Sequence, residues 1–205
     1  MAWVVSWLVL SGCGPAMRPA APPPSPTRPP SPAAAAPADP QEDAGPEIPW
    51  SADRPLTWDD FRGVAPVGGV EGARTVYLLS YEWRCRGVDF TYGVRAVVLP
   101  LRSWAKPHVL ASPAESRRVL GHEQTHFNLT ETYARRMRKF FKELYNPCGL
   151  PEEQMRESAE RFVRDEGEAQ RRYDEETGYG LKAQPQGRWD RDVAESLANL
   201  AAFRP

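Results

Sequence analysis

The stretch Gly121-His122-Glu123-Gln124-Thr125-His126-Phe127 holds two of the three histidines in the chain. On an α-helix His122 and His126 lie one turn apart on one face, so both imidazoles can reach a single cation. Glu123, rotated about 100° from His122, does not join them but can hold a water bound to that cation. Such a trio supports hydrolysis. Zinc lowers the pKa of its bound water toward ~7 and polarises a carbonyl, while the carboxylate takes the proton and passes it to the leaving amine. His122 and His126 are thus the expected metal ligands, Glu123 the expected catalytic base and one zinc ion the expected cofactor. The pattern is short, and alone it also describes an ordinary helix face. Its weight here comes from a histidine-poor chain that sets two histidines in register on a well-capped helix.

A third protein ligand must come from elsewhere. After His126 the chain runs on as "FNLTETYARRMRKFF" with no glycine break, which excludes a ligand placed just past a broken helix. His108 lies in the loop before the helix and would have to fold back over a long path. The elements around the motif point further downstream. Ser112-Pro113-Ala114-Glu115 combines a capping serine, a proline at the first helical position and a glutamate three residues after the cap. Apolar residues then recur at helical spacing from Leu120 to Leu144, predicting a helix over 113–146. A second helix runs from Pro151 to about 177, with Met155, Ala159, Phe162, Val163, Ala169 and Tyr173 on one face.

If these helices pack antiparallel about a turn near Cys148-Gly149, their equal rise of ~1.5 Å per residue sets 122–126 level with 171–176. That level holds Asp174, Glu175 and Glu176, with Tyr179 just beyond. Extending the stripe Met155-Phe162-Ala169 by seven brings Glu176 to the inner face, while Asp174 sits about 100° from Tyr173. Either carboxylate can complete the site.

The elements before the helices read as a small sheet. Leu56 to Phe61 forms a capped turn. Thr75–Trp83 and Val88–Leu99 are rich in β-branched and aromatic residues and join through a turn at Gly87. Pro100 to Ala111 reads as a loop, and Trp189 to Leu200 as a short last helix. Trp58, Trp83 and Trp104 are expected in the core. Strands followed by helices give an α+β fold, a small antiparallel sheet and then a long helical hairpin.

The N-terminal quarter has a different character. Ala2 to Leu10 is apolar but far shorter than the ~20 residues of a spanning helix, and reads as a secretory signal, although no Lys or Arg precedes it. Leu10-Ser11-Gly12-Cys13 is similar to the cleavage box of bacterial lipoproteins, with Cys13 as the lipidated residue. Residues 14–48 are dominated by Pro and Ala, a composition that favours an extended tether. The expected organisation is a signal and lipid anchor over 1–13, a linker over 14–48 and one folded domain over 49–205. With Cys13 lipidated, Cys85 and Cys148 remain as a pair for a disulfide in an exported domain. The formal net charge of −1 and the absence of basic blocks argue against a nucleic-acid partner. The expected setting is the bacterial cell envelope, with membrane attachment through lipid alone and a peptide or protein as substrate.

Taken together, "LTWDDFRG", "ARTVYLLSYEW", "VVLPLRSW", "LGHEQTHF", "PCGL" and "YDEETGYG…QGRW" resemble, in one order, a family of bacterial envelope proteins described as predicted secreted zinc-dependent proteases. The resemblance covers most of residues 56–193. It implies a zincin-like site using His122, His126 and Glu123. The family's later motif, Tyr-Asp-x-x-Thr-x-His-Gly, implies a histidine as third ligand. Tyr173, Asp174, Thr177 and Gly180 match that motif, but the histidine position holds Tyr179. Three outcomes follow: Tyr179 binds the metal or its water, Asp174 or Glu176 replaces the lost nitrogen, or catalysis is lost and the lipoprotein serves as a binding or scaffolding module.

Overall fold

The computed structural model describes residues 45–205. The expected signal, the expected lipid site Cys13 and the expected linker up to residue 44 lie outside the described residues. Chain pairing begins one residue before the expected domain boundary. Ile48–Pro49 (β1) pairs antiparallel with Asp89–Val98 (β4), which in turn pairs with Tyr77–Arg86 (β3), giving the order β1-β4-β3. The β3–β4 register places Leu79 opposite Ala96, Tyr81 opposite Val94 and Trp83 opposite Tyr92. Those pairs share one face through the two-residue period of a strand, and that face packs on the helices. Gly87, at φ +61°, supplies the left-handed turn between the strands.

The expected loop over 100–111 contains two short elements. Trp104–Ala105 (β5) pairs with Ala73–Arg74 (β2), and Pro107–Ala111 forms a five-residue helix, α1. Both are too short for periodicity to reveal.

The long helix α2 spans Pro113–Glu143, and the Ser112 side chain accepts from the Glu115 N–H as the sequence predicts. It is the centre of the fold, packing against β3, β4, α1, α3 and α4. The helix α3 spans Glu152–Thr177, and α4 spans Ala183–Asn199, starting earlier than the predicted last helix. The fold is therefore α+β, as the sequence predicts. Cys85 in β3 and Cys148 in the α2–α3 turn are bonded, with Cα atoms 5.6 Å apart.

The α2–α3 interface changes character along its length. Near the turn it is apolar, with Ala134, Met137, Phe141, Met155 and Ala159 buried together. Towards the open end it becomes a polar ladder. Thr130 Oγ1 donates to Glu166 Oε1 (2.9 Å), Gln170 Oε1 faces His126 Nδ1 (2.6 Å), and Asp174 Oδ1 faces His122 Nε2 (3.1 Å). All three pairs are symmetric about residue 148, so the rungs rise one helical turn at a time from the predicted mirror point.

A second polar cluster fastens the C-terminal segment. Glu131, fully buried, pairs with Arg135 and Arg138 at 2.8 and 3.0 Å. Those guanidiniums donate onward to the carbonyls of Leu197, Phe203 and Val94. The charges are thus both paired and hydrogen-bonded, the condition under which ions tolerate burial.

Candidate metal centre

His122 and His126 project from the same face of α2, and Asp174 meets them from the last turn of α3. His122 Nε2 and His126 Nε2 lie 3.2 Å apart, and Asp174 Oδ1 lies 3.1 and 3.0 Å from them. A tetrahedral zinc with bonds of 2.0–2.1 Å separates its ligand atoms by roughly 3.3 Å. The three atoms already form a triangle of nearly that size, with two imidazole nitrogens and a carboxylate oxygen as donors. His122, His126 and Asp174 can therefore hold a metal ion.

The far side of each ring is fixed by an amide. Gln170 Nε2 donates to the His126 carbonyl, Thr130 Oγ1 and Glu166 Oε1, so its Oε1 must face His126 Nδ1. Gln186, from α4, donates through Nε2 to Tyr173 Oη and Asp190 Oδ1, which turns its Oε1 toward His122 Nδ1 at 3.1 Å. Both Nδ1 atoms are consequently N–H donors, and in the neutral rings both Nε2 lone pairs point at the Asp174 carboxylate. With both rings neutral, three electron-rich atoms converge within hydrogen-bond distance, an arrangement that either a metal ion between them or protons on the rings would satisfy. Tyr173 stacks on the His122 ring at 4.6 Å and Tyr77 on the His126 ring at 5.9 Å, completing the cage.

The titration behaviour reflects the same convergence. Burial raises the Asp174 pKa, but with protons on the Nε2 atoms the hydrogen bonds from His122 and His126 outweigh it and hold the carboxyl well below its ordinary value. Burial disfavours charge on His126, yet Asp174 and the nearby Glu123 raise its pKa above the usual imidazole value.

Glu123 sits beside this triangle, 4% exposed, and lines the same cavity of about 400 Å³. The backbone N–H of Thr75, between β2 and β3, donates to Glu123 Oε2 at 2.8 Å. The sheet thus aims the carboxylate while α2 carries it.

Of the residues considered for the third position, the structure brings Asp174 to the histidine nitrogens. Glu176 does not reach the inner face. It is exposed and accepts from Trp189 Nε1 at 2.8 Å. The heptad step that predicted otherwise drifts by about 20° every seven residues, so three steps from Met155 turn Glu176 away. The buried stripe ends instead on Gln170, Tyr173 and Thr177. Tyr179 lines the cavity wall, 45% exposed, with a left-handed φ of +56°. His108 lines the cavity as well, but its side chain is 61% exposed and its Nε2 faces Glu115 at 3.9 Å.

Gly180 explains how closely the 178–180 turn approaches. Its φ is +75°, and a Cβ there would lie 3.0 Å from His122 Cβ and Cγ. Sequence reasoning passed over Gln170, Gln186, Tyr77 and Thr75, which hold or enclose the site. Amides and backbone donors behind metal ligands have no spacing signature.

No curated protein and no solved structure matches the chain. Residues 71–180 match a family described as bacterial protein of unknown function, DUF922, and this span covers just over half of the 205 residues. The matched span begins two residues before β2 and ends at Gly180, so it contains Thr75, the α2 motif and Asp174 but stops short of Gln186. The chain is a member of the DUF922 family.

Proposed function

We propose that the protein is a zinc-dependent peptidase of the bacterial cell envelope, with a zincin-like site and a lipid anchor at Cys13. One observation carries the reading: a triangle of His122 Nε2, His126 Nε2 and Asp174 Oδ1 at zinc-ligand spacing, the histidines buried and Asp174 partly so, with the Glu123 carboxylate fixed beside it. When bound, zinc supplies Lewis acidity, activating a water and polarising a peptide carbonyl. The protein's own groups do the rest. Gln170 and Gln186 hold both rings with Nε2 forward. Thr75 N–H pins Glu123 Oε2, leaving Oε1 to accept the proton from water and return it to the leaving amine.

The same triangle supports a second reading. A proton in place of the metal would tie His126 to Asp174 as an ion pair, and the fold would then serve as a binding or scaffolding module of the envelope. Metal content separates the two. The full chain purified without chelator should carry close to one zinc by mass spectrometry, and His122→Ala should lose it. Glu123→Gln should retain the zinc and abolish peptide hydrolysis. Zinc at background level in the unaltered chain would sink the peptidase reading. For the anchor, Cys13→Ser should release the protein from the membrane fraction.

A further inference from the structure

Among the described residues, two buried side-chain polar atoms have no hydrogen-bond partner: Thr75 Oγ1 and Arg118 Nη1. Both residues line the cavity that contains His122, Glu123 and Asp174. Buried donors are ordinarily paired, so two orphans in one cavity wall point to a ligand that supplies their acceptors. Thr75 is 4% exposed, and its N–H is already committed to Glu123.

The second guanidinium on the cavity, Arg74, is not a competitor. Its Nε and Nη2 donate to Glu71 at 3.0 and 2.8 Å. Arg118 is much less committed. Its closest acidic neighbour is Glu115, whose Oε1 lies 3.7 Å from Nη2, beyond hydrogen-bond length. The Arg118 side chain lines the cavity with one third of its surface exposed, and its Nη1 is buried without a partner beside the loosely held Nη2, so the planar fork is uncommitted. That fork matches a carboxylate bidentately. The surroundings favour a single negative charge over a dianion, because Glu71, Glu115, Glu123 and Asp174 line the same cavity.

Arg118 precedes His122 by four residues of α2, one turn along the same face and about 6 Å along the axis. A peptide residue spans roughly 3.3–3.6 Å, so an anion on Arg118 lies within about two residues of a carbonyl held at the histidines. We propose that Arg118 is the recognition point for a carboxylate on the substrate, with Thr75 Oγ donating to the adjoining peptide group. The substrate class is then a peptide whose scissile bond lies close to an acidic side chain or to its free C-terminus. This inference deepens the peptidase reading and rests on it for the word substrate, whereas the carboxylate site itself is testable as binding.

The test is calorimetric titration of the full chain with two matched peptide pairs. One pair is N-acetyl-tetraalanine as free acid and as amide. The other is N-acetyl-Ala-Glu-Ala-Ala-amide and its Gln counterpart. Each titration is run metal-free, and with one equivalent of zinc in a Glu123→Gln background so that no peptide is consumed. The expected result is roughly tenfold tighter binding of the carboxylate member in one pair, and that pair identifies the source of the carboxylate. Arg118→Gln should remove the difference and Arg118→Lys should keep part of it, with zinc content unchanged in both. Equal affinities within both pairs, or a preference that survives Arg118→Gln, would overturn the proposal. A preference in a chain that takes up no zinc would sink the peptidase reading and leave the carboxylate site standing. Zinc uptake with no preference would do the reverse.

Discussion

Gln170 Oε1 lies 2.6 Å from His126 Nδ1, and the amide's other contacts leave it no second orientation. The ring is thereby held with Nε2 facing Asp174. Replacing Gln170 by Leu should weaken zinc binding by about 10–100-fold while leaving all three ligands in place. Competition against a chromophoric chelator measures this directly. An unchanged affinity would mean that the ring is oriented by Tyr77 and Tyr173 alone.

The identity of the third ligand separates cleanly by substitution. Asp174→Ala should abolish stoichiometric zinc, because it removes one corner of the triangle. Tyr179→Phe should leave zinc affinity unchanged, since the three converging atoms do not include the phenol oxygen. If Tyr179→Phe costs as much as Asp174→Ala, the tyrosine belongs among the ligands.

Glu166, the innermost rung of the ladder, predicts a pH dependence of stability. Burial raises its pKa above 4.5, although hydrogen bonds from Gln170 and Thr130 oppose the shift. The folded state therefore holds the Glu166 proton more tightly than the unfolded chain does. That contribution is complete below the unfolded value and is lost as pH rises through the folded one. Glu166→Gln keeps an acceptor oxygen without the charge, so it should be more stable than the parent at pH 7 and show no such gain at pH 4. Urea midpoints at the two pH values would show it. An equal difference at both would remove Glu166 from the pH response.

The disulfide should matter for stability and not for the metal. Cys85 and Cys148 are 63 residues apart, and closing such a loop contributes about 4 kcal/mol in the chain-entropy description. Cys148 lies 26 positions from His122 along the hairpin, about 39 Å at helical rise. Cys85→Ser/Cys148→Ser should lower the thermal midpoint while retaining zinc affinity. Loss of zinc in the folded double variant would show that the turn transmits strain to the site.

Much of this arrangement was legible in the sequence because helices have a fixed rise. Once a turn near Cys148 was placed, the level of Asp174 with His122 followed by counting. Rotation was harder to read than translation. An error of a few degrees per residue accumulates over Met155 to Glu176, so the heptad step points Glu176 inward whereas it accepts from Trp189 on the outside. Val163, placed on the inner stripe, is 38% exposed for the same reason. The supporting amides were invisible because one of them, Gln186, lies between Pro185 and Gly187, where the sequence suggests an interruption and the chain is already helical.

The contact that aims Glu123 comes from the Thr75 backbone, so no side-chain exchange at that position removes it, proline excepted. The residue at 75 is in this sense two parts with separate fates. Its amide is committed to holding Glu123, and its side chain is free to change with the ligand. A lineage could retune what enters the cavity at position 75 without disturbing the group that would take the proton.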